Sequence, residues 1–262
     1  QTIDANVTLA NNAEFRNNIA GKVLTVNGDV TASAKQLTLY GFDNGGAINL
    51  AGTGNDWGGE TVIAGATVTA NSASAGNMNI EYGTLTLNAD QTLAGIDFGH
   101  ATLGNGDGTL NIGTGNTNAL SSGVTYTADD TSANTATIAG GTLEMAGGIQ
   151  NVEFNIADHA SVSGPELTVS STIKTNGTNR VLVKSGAGTL KLTSGASVYT
   201  QLRVHEGTVQ LTDGGAVGTT WSDVYGDTGD GTLEFVGGAD ITVAQSYKAG
   251  NPDNFGGAET MT

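Results

Sequence analysis

The chain has 262 residues, nine of them Lys or Arg and 25 Asp or Glu, which gives a formal net charge of -16; glycine occurs 41 times and cysteine never. The absence of cysteine excludes disulfides, thiolate metal sites and a cysteine nucleophile. No basic residue falls between Lys35 and Lys174 while thirteen carboxylates do, so neither nucleic acid nor an anionic membrane surface is an expected partner. Strand-like runs with apolar residues on alternate positions begin at once: VTLA from Val7, VLTV from Val23, LTLY from Leu37, INLA from Ile48, TVIA from Thr61, ATVTA from Ala66 and MNIEYGTLTL from Met78. They continue through TLAGIDF from Thr92, TYTA from Thr125, ATIAG from Ala136, VEFNI from Val152, LTVSSTI from Leu167, VLVK from Val181, LRV from Leu202 and ITVA from Ile241.

Gly, Asn and Asp clusters separate these runs, as tight turns with positive φ require. The stretches between glycines are short and rich in β-branched residues, so helix should be nearly absent. No apolar run reaches the roughly 18 residues of a spanning helix, so this segment is not expected to insert in a membrane. From residue 245 the alternation stops and Pro252 appears. The expected organisation is one continuous domain over 1–244 and an irregular tail, cap or contact arm over 245–262. The start at Gln1, without methionine or a leader, points to a removed leader or a processed fragment.

One motif recurs six times: GTLTL from Gly83, GTLNI from Gly108, GTLEM from Gly141, GTLKL from Gly188, GTVQL from Gly207 and GTLEF from Gly231. A glycine turn opening so short a strand cannot bury an apolar face alone, so the copies are expected to stack and share one long core. The starts are separated by 25, 33, 47, 19 and 24 residues, where the shorter intervals fit single coils and the longer ones extra coils or loops. That spacing predicts an all-β solenoid of roughly ten to thirteen coils, and a rod about 50–60 Å long at the usual strand spacing.

Two segments carry a more specific likeness. In VLVKSGAGTLKLTSGASVYTQLRVHEGTVQL, from Val181 to Leu211, the residues Lys184, Gly186, Gly188, Thr189, Leu190, Gly195, Tyr199, Val204, Gly207 and Thr208 resemble the autotransporter-associated β-strand repeat of bacterial passenger domains. The segment from Ile48 to Val68 resembles it too, with Trp57 in the place of Tyr199. The resemblance implies a right-handed parallel β-helix displayed outside a bacterial cell.

Candidate sites are sparse. Arg16, Arg180 and Arg203 are scattered, so the carboxylate and base cluster of a polysaccharide lyase or hydrolase on a β-helix is not evident, and no catalytic residue is expected. His100, His159 and His205 lack metal-ligand spacing and read as turn or surface residues. Calcium is the one cofactor worth testing, because AGTGND from Ala51 resembles the opening of a calcium-binding nonapeptide, and GNGDG from Gly104 and GDTGDG from Gly226 are acidic turns; as isolated copies they read as ordinary Asn/Asp turns. Trp57 and Tyr199 fill matching places and are expected to pack over a turn, which leaves Trp221, Tyr225 and Tyr247 as candidate partner contacts. The expected function is a non-catalytic extracellular structural or adhesive β-solenoid that could self-assemble into a surface layer, filament or appendage, with self-association, another surface or virion protein, or a glycan as partner. The alternatives are a virion component, such as a capsid decoration or fibre subunit, and a polysaccharide-acting enzyme.

Overall fold

The computed structural model describes residues 1–41, 46–71, 74–99, 107–128, 134–146, 151–175, 181–198, 200–212, 221–224, 230–237, 246–249 and 260–261. These residues are all-β, without a helix, and each pairing between named strands is parallel. The pairings fall into three ladders. The first runs through Thr2–Ile3, Val23–Val26, Ala47–Leu50, 67–70, 83–87, 108–112, 136–140, Leu167–Val169, Thr189–Leu192, Gly207–Thr212, Gly231–Val236 and Thr260–Met261. The second joins Val7–Thr8, Val30–Thr31, Asp56–Trp57, 74–75, 91–93, 117–120, 142–145 and Thr172–Thr175, and the bridge from Lys174 to Val198 extends it. The third joins Ala13–Arg16, Leu37–Tyr40, 61–65, 78–82, 95–98, Val124–Tyr126, Asn151–Ile156, Val181–Ser185, Gln201–Val204, Trp221–Val224 and Ser246–Ala249.

The alternation of the sequence explains which side of each ladder is buried. In Ala136–Met145 the residues Ala136, Ile138, Leu143 and Met145 are buried and the intervening threonines are not, as a strand with one face on a core requires. The inward residues of all three ladders join in one continuous cluster, from Val26 and Leu37 through Phe98 and Phe154 to Leu211 and Leu233. Several strands pass from one ladder to the next around a glycine corner. Gly140, between the parts of Ala136–Met145 that serve the first and second ladders, has a φ of 79°, and a Cβ there would lie 2.0 Å from the Ile112 carbonyl oxygen. Only glycine fits that corner.

The repeated motif does not stack uniformly. Gly83 lies level with Gly108, and Thr189 with Thr208 and Thr208 with Thr232, so these neighbouring copies pair directly. GTLEM belongs to another ladder: Thr142 is level with Thr117 and Thr172. Within the first ladder, Gly108 aligns with Ala136, then Leu167, then Leu190, so the later copies sit two residues out of step with the earlier ones. A slip of two leaves every side chain on its original face, and the core is unbroken. Two short strands from the stretch expected to be irregular, Ser246–Ala249 and Thr260–Met261, continue the third and first ladders.

Asparagine and aspartate side chains clasp successive strands where the chain turns. Asn6 Oδ1 accepts the Asp29 N–H, 23 residues on, and Asn12 Oδ1 accepts the Gln36 N–H, 24 residues on. Asp90 does the same for Thr117 and Asp107 for Thr135, at separations of 27 and 28 residues. Each clasp satisfies a backbone donor that leaves its ladder at the corner.

Candidate functional site

The two segments that resemble the passenger repeat follow the same path. Ile48 lies in the first ladder, Trp57 in the second, Ile63 in the third and Val68 in the first again; Leu190, Val198, Val204 and Val209 repeat that order. The characteristic lysine of the second segment is fully buried. Lys184 is 0% exposed in strand Val181–Ser185, and its Nζ donates to the carbonyls of Ser185, at 2.8 Å, of Gly186, and of Glu206, at 3.1 Å. One ammonium thus joins the corner of its own strand to the corner that follows Gln201–Val204. Glu166, 2% exposed, completes the arrangement: Oε2 accepts the Thr189 N–H at 2.7 Å and Oε1 the His159 N–H at 3.3 Å. His159 Nδ1 in turn accepts the Ser161 N–H at 3.2 Å. His159 is therefore a turn residue, one of the two readings its sequence allowed, but a buried one, because its imidazole substitutes for a carbonyl acceptor inside the turn.

Burial pushes the Lys184 amine down to about 8, against the opposing pull of Glu206 and Glu166. The unfolded chain keeps the ordinary lysine value of 10.5. Between those pH values the unfolded state holds a proton that the native state has released, so native stability rises with pH there; below about 8 both states are protonated and the cost of the buried charge is present in full. The expected result is that wild type gains about 1 kcal/mol over Lys184→Met between pH 8 and 9. Urea unfolding of both proteins at each pH measures it, and a difference independent of pH would mean that the amine titrates outside this window.

The other sequence candidates are distributed along the stack. Trp57 is 0% exposed, within strand Asp56–Trp57 and inside the core instead of over a turn, because its strand directs it inward. The acidic turn from Ala51 is tied into its neighbours by hydrogen bonds: its Gly54 N–H donates to Asp29, Asn55 accepts the Val30 N–H, and Asp56 accepts the Ser33 hydroxyl and the Gly58 N–H. Asp107 serves Thr135, while Gly104 and the stretch 225–229 lie outside the described residues. Among the described residues no group of three or more His, Asp or Glu side chains could hold a metal ion. Arg16 lies over the Tyr40 ring, 4.4 Å from its centre, and pairs with Glu14. Arg203 stands in the third ladder level with Val183, and the His205 N–H donates to the Lys184 carbonyl. Trp221 is level with Ser246 and Tyr247 with Ser222, so these two aromatics belong to neighbouring strands one register position apart. Tyr225, His100, Tyr199 and Arg180 lie outside the described residues.

A groove on the outer face of the third ladder is the feature that sequence reading did not find. It encloses about 360 Å³ between Asn77, Gly95, Asp97, Thr125, Glu153 and Asn155. Asp97, Thr125 and Asn155 are level with one another on consecutive strands, and Asn77 is level with Gly95. Glu153 Oε1 accepts the Ser185 hydroxyl. Compared with protein-family models, curated proteins and solved structures, the chain matches none.

Proposed function

We propose that this chain is a non-catalytic β-solenoid, a right-handed parallel β-helix of the passenger type, which acts outside a bacterial cell as a structural or adhesive rod. The observation that carries the reading is the set of three parallel ladders held at their corners by buried polar groups, Lys184 and Glu166 foremost. Such a corner aligns successive coils and leaves the outer faces available for contacts. The carboxylates and amides at the acidic turns are likewise spent on backbone donors, which suits a scaffold better than a reaction centre. The net charge of -16 keeps copies of a strand-rich surface apart laterally and favours contact through particular patches.

Electron microscopy combined with multi-angle light scattering tests this reading. The expected outcome is a rod that lengthens or bundles as protein concentration or salt rises, since salt screens repulsion between like-charged copies. A compact particle would overturn the rod, and a monodisperse monomer at every concentration and salt would overturn self-association.

A further inference from the structure

Gly95 stands where strand Gln91–Phe98 passes from the second ladder to the third, yet neither its φ nor a backbone contact makes glycine obligatory at this corner. Gly95 is not among the positive-φ glycines, and a Cβ built on it would meet the tip of the Asn77 side chain, with Oδ1 at 3.0 Å, and then only the Gly123 carbonyl oxygen at 3.6 Å. A small turn of the Asn77 amide would admit a side chain, and a β-branched one would favour the strand. Gly123 differs: a Cβ there would lie 2.5 Å from the Glu153 carbonyl oxygen, so backbone crowding accounts for it. Glycine in a strand weakens it and marks a bulge, a tight corner or the close approach of a backbone or a ligand; the φ of Gly95 lies outside the left-handed region that a glycine corner such as Gly140 uses. No backbone comes close enough to Gly95 to explain the choice.

Gly95 forms the floor of the outer groove. Asp97, Thr125 and Asn155 present a carboxylate, a hydroxyl and an amide in a line along the stack, at about 4.8 Å per strand. Asn79, next in that line, is 6% exposed, and its Oδ1 has no hydrogen-bond partner among the described residues. The lining contains two carboxylates and no lysine or arginine, which disfavours an anionic ligand. The groove lies on the face of a ladder whose strands have neighbours on both sides, so no peptide can join as an added strand. A ligand with many hydroxyl groups, no negative charge and a repeat along the stack fits what remains.

We propose that this groove binds a neutral oligosaccharide lying along the stack, with Asp97 and Glu153 accepting from sugar hydroxyls and the Asn77 and Asn155 amides donating to sugar oxygens. The proposal rests on the adhesive half of the functional reading and names its partner class. The test is calorimetric titration of the purified chain with maltohexaose, cellohexaose, xylohexaose and chitohexaose, with hexagalacturonate as the anionic comparison. At least one neutral hexamer is expected to bind and hexagalacturonate is not. Gly95→Val, which fills the floor, should weaken that binding at least tenfold while leaving the thermal midpoint unchanged or higher. Thr125→Val, which removes a hydroxyl at constant volume, should weaken it severalfold and decides the matter if Gly95→Val does not fold. Failure of all four neutral hexamers, stronger binding of hexagalacturonate, or unchanged binding by Thr125→Val or a folded Gly95→Val would overturn the groove. Rods in micrographs would survive such a failure, so the two readings fail separately.

Discussion

Replacing Lys184 by methionine is expected to lower the unfolding free energy by about 1–3 kcal/mol, the cost of leaving buried hydrogen-bond acceptors without their donor. The volume hardly changes and the buried charge is itself costly, so the loss comes from the hydrogen bonds and not from a cavity. The three carbonyls of Ser185, Gly186 and Glu206 lose their donor, and Glu166 loses the nearby positive charge. Unsatisfied buried acceptors are costly because the unfolded chain hydrates them freely. The loss should also be local at first. The Thr208 N–H, bonded to the Gly188 carbonyl at 3.1 Å, and the Gly188 N–H, bonded to the Ile156 carbonyl at 2.9 Å, lie beside the corner and should lose protection from hydrogen exchange before amides near Leu85. Where each strand of a ladder contacts only its neighbours a weakened corner opens there first, so exchange resolves what a single global transition would average. A loss below about 1 kcal/mol, with exchange unchanged at Thr208, would mean that the ammonium does not hold the corner.

Lys184 also shows which parts of the molecule could be read from its sequence. The strands were legible because alternation survives in nearly every run: Leu85 and Leu87, Leu110 and Ile112, and Ile138 are buried as their patterns imply. The assignment of a run to a ladder was not legible, because a period of two satisfies any flat strand equally. GTLEM and GTLNI read alike yet serve different ladders, and the difference lies in corners such as Gly140, whose φ is fixed by packing against Ile112. The lysine stood out through its place in a repeat, but its burial did not, since a lysine at an inward position contradicts the pattern around it. The outer groove was the least legible feature. Its residues come from separate strands, and Gly95 within TLAGIDF looks like any turn glycine until the space above it is measured.

Trp57→Ala is expected to be more damaging than loss of the lysine, costing about 3–5 kcal/mol, whereas Trp57→Phe should cost little. The indole is among the largest fully buried side chains and packs in the common core. Truncation to a methyl group would leave a void that strands tied into three parallel ladders cannot close. Phenylalanine keeps most of the apolar area and removes an indole N–H that has no acceptor among the described residues, so loss of volume is offset by loss of an unpaired donor. The pair of substitutions separates two roles for an aromatic at this place in the repeat. A sugar-stacking platform would show unchanged thermal midpoints and weakened glycan binding in both variants. A core residue would show a large drop in midpoint for alanine alone, with oligosaccharide binding at the groove retained by phenylalanine. Trp57 lies in the second ladder and the groove on the third, so stability and ligand binding should respond to different substitutions. That separation is what a scaffold with an independent contact face requires, and scanning calorimetry with hexasaccharide titration on the same two variants measures it.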